Sequence, residues 1–154
     1  MKKLNFLNLI LLLVLMSSCA SYTKKINTHG ETAIILPVKE LEWTTAFDGF
    51  PIKFASANGS TFETAHGNFG KFPGGENFIT PEHTHSNSYQ AVVISGTMIN
   101  PMGDEDSKKA KRMRPGSYWY VPANQAHTTG CVSEEPCVFY SYQSAGFDFT
   151  PTKK

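Results

Sequence analysis

From Glu40 onward the chain never sustains an apolar period of 3.6 residues; it runs in short stretches rich in Val, Ile, Phe, Tyr, Trp and Thr, each closed by Gly, Pro, Asn or Asp. That punctuation leaves no place for a packed helix and directs the backbone into short antiparallel strands joined by tight turns, the pattern of an all-β sandwich or barrel. Strands are predicted at 42–45, 52–55, 61–72, 79–84, 89–100, 117–121, 127–131 and 138–149. Ala91-Val92-Val93-Ile94 is apolar at successive positions and is expected to be an interior strand covered on both faces. The stretch 102–114, an acidic block followed by a basic one, reads as a solvated hairpin, whose Lys108, Lys111 and Arg112 are the residues able to reach an anionic ligand or a lipid surface.

Two segments carry imidazoles in a chemically meaningful pattern. His83 and His85 are two residues apart, and on a strand that spacing puts both side chains on one face. His127 supplies a third imidazole after Gly116 and Pro122. Neutral imidazole ligates transition metals, whereas hard cations such as calcium prefer oxygen, so three histidines call for a divalent transition metal: Fe, Zn, Mn or Ni. Tyr89 lies four residues beyond His85 and keeps inward parity if the intervening chain is extended; it ligates as a phenolate or hydrogen-bonds a metal-bound water. Gln90 is the alternative, through its amide oxygen, if a bulge shifts the register by one. His66 falls outside both segments and reads as a turn or pocket-rim residue, and His29 as solvated. Trp119 and Val121 share one face of their strand and Tyr118 and Tyr120 the other; with Phe139, Tyr140 and Tyr142 they are expected mainly in the core, one or two of them lining a pocket mouth.

The two segments resemble the paired motifs of the cupin superfamily. The first motif, a glycine, a His-x-His pair, a glutamate and a closing glycine, is matched at Gly75, His83, His85 and Gly96; the second is matched at Gly116, Pro122 and His127. Tyr89 stands where the family places a metal-binding glutamate, Asn124 replaces an inner glycine, Cys131 replaces a terminal asparagine, and Gly75 lies further from the first histidine than usual. Lys71-Phe72-Pro73-Gly74-Gly75, His83-Thr84-His85, the run from Tyr89 to Gly96, and Pro115-Gly116-Ser117-Tyr118-Trp119 are similar to the single-cupin group DUF4437, related to the cupin part of the ChrR anti-sigma factor. The similarity spans roughly residues 40–149 and implies a cupin double-stranded β-helix, a jelly-roll barrel in one domain. It also implies His83, His85 and His127 as metal ligands, a small-molecule substrate or ligand, and edge-strand pairing into a homodimer. Within this frame the chemistry expected is that of a metal-dependent enzyme, with dioxygenase-like reaction first and isomerisation or hydrolysis behind it; the alternative is a non-catalytic metal- or small-molecule-binding, sensing cupin of the ChrR type.

The N-terminus addresses location. Lys2 and Lys3 form a basic start, Leu7 to Met16 is mostly apolar, and Ser17-Ser18-Cys19 closes the segment with small residues, as in a bacterial lipoprotein signal. The apolar run is too short for a membrane-spanning helix. Residues 1–18 are thus expected to be a signal peptide, 19–38 a lipidated N-terminus and tether, and 39–154 the cupin domain. Cys19 would carry the lipid, and Ala20-Ser21 lacks an acidic retention signal, which in a two-membrane bacterium directs the protein to the periplasmic side of the outer membrane. Lipidation of Cys19 leaves Cys131 and Cys137, separated by a turn-like stretch in an exported protein, as an expected disulfide. Removal of Lys2 and Lys3 leaves 12 of 14 basic residues against 13 acidic ones, a balance with no electrostatic footprint for nucleic acid.

Overall fold

A computed structural model describes residues 27–30, 32–75 and 77–152. Cys19 and the expected signal peptide lie outside the described residues. The fold is all-β, its one helical feature among the described residues being a single 3-10 turn at Val38–Glu40. Ten strands follow: β1 (Thr44–Thr45), β2 (Lys53–Asn58), β3 (His66–Phe72), β4 (His83–Thr84), β5 (Tyr89–Ser95), β6 (Met98–Ile99), β7 (Tyr118–Val121), β8 (Gly130–Cys131), β9 (Cys137–Gln143) and β10 (Thr150–Pro151). Six of them make one antiparallel sheet in the order β1-β2-β3-β9-β5-β7, while β10-β4 and β6-β8 are short two-stranded ladders.

The predicted strands exist and most are shorter, whereas the one at 52–55 extends as β2 to Asn58. The stretch 89–100 divides into β5 and β6 because Gly96 turns the chain at φ +77°, a backbone conformation that suits glycine. Residues 61–65 form turns before β3, and the stretch 138–149 ends as sheet at Gln143, after which the chain runs to β10. Strand β5 is interior to the sheet, between β9 and β7, yet it is not covered on both faces: Ala91 and Val93 are buried, whereas Val92 and Ile94 are 38% and 45% exposed. The same outer face carries exposed Tyr118, Tyr120 and Tyr142, so these tyrosines are surface rather than core. An apolar residue at an outward position tolerates water at modest cost, which is why composition alone misassigned this face.

The inward face holds the core. Phe54, Phe72, Val93, Trp119, Val121 and Phe139 pack in one cluster with Cys131 and Cys137. Gly70 opposite Phe139 is one place where absence of a side chain matters: a Cβ there would meet the Phe139 ring at 2.2 Å. The sulfurs of Cys131 and Cys137 are joined at 2.16 Å, with their Cα atoms 5.6 Å apart. The loop 104–114 is largely exposed, Lys108, Lys111 and Arg112 included, and is stitched to the body by reciprocal backbone hydrogen bonds of 2.8 Å between Met98 and Met113.

Candidate metal centre

His83 opens β4, and its backbone exchanges two 3.0 Å hydrogen bonds with that of His127. His85 follows one residue after β4, and its carbonyl accepts the Asn124 amide at 2.8 Å. Asn124 sits at φ +61°, in the left-handed region that glycine and then asparagine tolerate best, so it fills the role of the glycine it replaces. The three ring systems converge, with centroids 4.8 Å apart for His83–His85, 4.3 Å for His83–His127 and 5.1 Å for His85–His127. One nitrogen from each lies within 4.8 Å of the others, and the three side chains are 3%, 4% and 0% exposed.

Each imidazole is held by its Nδ1. His83 donates to the Pro81 carbonyl at 2.8 Å and His127 to the Gln125 carbonyl at 2.9 Å, both two residues back along the chain. His85 instead donates to the backbone carbonyl of Asp148. A carbonyl only accepts, so each ring carries its proton on Nδ1 and keeps a lone pair on Nε2. Burial pushes His83 down to about 3 and His127 to about 4, with repulsion from neighbouring imidazoles adding to both. Burial also lowers His85, opposed by its bond to Asp148 and that residue's charge. Three neutral imidazoles at pH 7, locked by backbone partners, are a donor set that suits a transition metal.

Tyr89 points to this site. Its hydroxyl lies 3.3 Å from His127 Nε2, to which it donates, and accepts the indole N–H of Trp119 at 3.2 Å. Burial pushes the phenol above its ordinary value, with hydrogen bonds from Trp119, Thr129 and Asn100 pulling back, so it stays protonated. Gln90 does not join it. The residue is exposed on the outer face, where its Oε1 accepts from Tyr118 Oη at 3.1 Å. The bulge invoked to turn it inward falls elsewhere, between Val93 and Ser95, and the Tyr89–Val92 register is regular. His66 is neither turn nor rim: it starts β3, is 1% exposed, and its Nδ1 donates to Thr64 O at 2.9 Å. It lines the same cavity as His83 and His85 but is not one of the three that converge.

That cavity lies between the inner face of the large sheet and the histidines. Its walls include Phe47, Phe54, Trp119, Phe139, Phe147 and Phe149. Phe149 stacks on His83 with centroids 4.2 Å apart and planes 20° from parallel, and the Phe147 centroid is 4.8 Å from that of His85. Sequence reasoning did not single out Phe147, Phe149, Asn68 or Gln143 as site residues. Period-2 parity from His66 identifies Asn68, but the fold of 144–149 over the histidines has no local signal.

The model for the domain of unknown function DUF4437 matches residues 66–154, more than half of the sequence. The chain belongs to the DUF4437 family. The match begins later and ends later than the 40–149 suggested by the motifs. No protein with a curated description matches the chain in sequence. Among solved structures, the polyketide cyclase RemF from Streptomyces resistomycificus superposes with a TM-score of 0.64 at 13% identity, covering 80% of this chain and 87% of that one. An uncharacterized double-stranded β-helix protein from Klebsiella pneumoniae gives 0.57 at 17% identity, with 79% and 100% covered. An RmlC-like cupin from Shewanella frigidimarina gives 0.54 at 15%, with 74% and 93% covered. At these identities the likeness shows the fold, and this DUF4437 chain is a cupin double-stranded β-helix.

Proposed function

We propose that this DUF4437 chain is an exported cupin, tethered by lipid on Cys19, whose His83, His85 and His127 hold one divalent transition metal beside a small organic molecule. The observation that carries the reading is the triple Nδ1 lock, which turns three neutral Nε2 atoms toward one another, with His83 and His85 lining an aromatic cavity and the Nε2 of His127 accepting the Tyr89 hydroxyl. When bound, the metal supplies Lewis-acid polarisation or oxygen activation. The protein's own residues do the rest: Phe147 and Phe149 exclude water, and Tyr89 presents a neutral hydroxyl where the commoner motif has a carboxylate, so the donor set adds no negative charge. Such a site favours a ligand that brings an anionic oxygen. Oxygen-dependent cleavage is the leading reaction class, with isomerisation or hydrolysis behind it; the polyketide cyclase neighbour supports small-molecule chemistry in this frame. Pairing of two copies through an edge strand such as β7 belongs to the same reading.

One observation favours the second reading, a sensing cupin of the ChrR type: no Asp or Glu lines the cavity among the described residues, so no carboxylate stands ready as general base. Elemental analysis of protein purified without a metal-affinity tag, beside a His83→Ala/His85→Ala variant, tests the proposal. Near-stoichiometric iron lost in the variant supports the oxygenase, tightly held zinc supports the sensing, isomerising or hydrolytic reading, and no metal in either protein overturns the metal centre and leaves only a metal-free binding barrel. Cys19→Ala is expected to release the protein from membranes; unchanged membrane residence would refute the anchor.

A further inference from the structure

Opposite the histidines, the cavity wall formed by β3 and β9 changes character along its length. His66 faces Gln143 and Asn68 faces Ser141 in register, and all four line the cavity. Further along the same strands Gly70 faces Phe139 and Phe72 faces Cys137, and the wall is apolar. The polar end is deeply buried: His66, Asn68 and Gln143 are 1%, 1% and 2% exposed. Burying neutral amides in a position that valine or leucine would fill costs free energy unless hydrogen bonds recover it. Here the recovery is local: the Ser141 hydroxyl donates to Asn68 Oδ1, and Gln143 Nε2 donates to the Asn87 carbonyl at 3.0 Å. A carboxamide has both donor and acceptor atoms, so these bonds leave Asn68 Nδ2 and Gln143 Oε1 to serve a ligand.

The charge inventory sharpens the inference. None of the described residues lining the cavity is Asp, Glu, Lys or Arg. A charged group placed at the polar end would be buried without a counter-charge, which is strongly unfavourable, whereas a hydroxyl or carbonyl finds both a donor and an acceptor. Between the two ends the walls are mostly phenylalanine, which packs best on aromatic carbon by edge or offset contacts.

We propose that Asn68, Ser141 and Gln143 form a subsite for a neutral hydrogen-bonding group. The molecule bound here is then a compact, largely aromatic compound with an oxygen donor directed to the histidines and a hydroxyl or carbonyl at its far end. The orientation rests on the reading of the histidines as a metal centre; the subsite itself rests on β3 and β9.

The test is calorimetric titration of four phenols into the purified full-length chain, zinc-loaded and metal-free: hydroquinone, 4-hydroxybenzyl alcohol, 4-methylphenol and 4-hydroxybenzoate. The two neutral hydroxyl-bearing phenols are expected to bind about fivefold more tightly than 4-methylphenol, the effect of one net hydrogen bond, with 4-hydroxybenzoate weakest. Ser141→Ala and Gln143→Met are each expected to erase that preference while leaving 4-methylphenol unchanged, and circular dichroism reports which variants remain folded. Equal binding of 4-methylphenol, preference for the benzoate, a preference that survives in both folded variants, or no binding of any probe at millimolar concentration overturns the subsite. A hydroxyl preference that is identical with and without zinc keeps the subsite and removes the metal from the orientation. Zinc-dependent binding without the preference does the reverse.

Discussion

The backbone carbonyl of Asp148 accepts the Nδ1 proton of His85 across 63 residues of sequence, while its carboxylate takes the amide of Ser86 at 3.0 Å and the Ser86 hydroxyl. His83 and His127 find their carbonyls two residues away, so His85 alone depends on the return of the C-terminal segment. Asp148→Ala keeps the carbonyl but removes the side-chain clamp that positions it. Loss of an outer partner of this kind weakens metal binding about 10-fold. Competition with a metal-sensitive chelator measures it, and an unchanged dissociation constant would show that the clamp is dispensable.

The pH dependence of the metal-free protein follows from the histidines. In the unfolded chain they titrate near 6.5, while in the fold His83 is held at about 3 and His127 at about 4. Between these values the unfolded state binds more protons, so stability is present above about 6.5 and is lost as pH falls toward 4. Urea unfolding in chelator at pH 7.5, 5.5 and 4.5 is expected to show a falling midpoint, and His83→Ala a shallower fall. A midpoint constant over that range would mean that the imidazoles are not buried as described.

Cys131 and Cys137 close a short loop between β8 and β9. A closed loop of this size contributes about 2 kcal/mol in the chain-entropy account. The Cys131→Ser/Cys137→Ser variant is expected to unfold at correspondingly lower denaturant, and the parent, assayed without reductant, to show no titratable thiol from this pair. Two reactive thiols in the parent would contradict the bridge.

Gly70→Ala would drive a methyl into the Phe139 ring, against which an added Cβ comes within 2.2 Å. Overpacking of this kind costs about 1–3 kcal/mol. Phe139→Leu in the same chain is expected to restore part of the loss, and thermal unfolding of the single and double variants gives the coupling.

How far the chain can be read unaided differs between its parts. The all-β fold was legible because turn residues punctuate every strand, and the spacing of His83, His85 and His127 picked out three imidazoles that do converge. Parity also decided Tyr89 against Gln90, since a regular β5–β7 ladder turns alternate residues in and out. What failed was anything set by long-range packing. Val92 and Ile94 look like core by composition, and only the position of the second layer makes their face the outer one. His66 carries no motif and was placed at a rim because its burial comes from β9, which lies far away in sequence. The stretch 144–149 reads as a continuation of a strand, yet it bends over the histidines through contacts of Phe147 and Phe149 that no local pattern encodes.

The paired hydrogen bonds between the backbones of His83 and His127 fasten two of the three imidazoles to a single rung. The spacing of those two Cα atoms is therefore set by main-chain geometry and not by whatever connects them. Residues 86–126 can lengthen or shorten at the exposed loop 104–114 without reaching the rung, which leaves that loop open to drift. The histidine pair behaves as a fixed gauge, its spacing independent of the length of the chain that joins its two members.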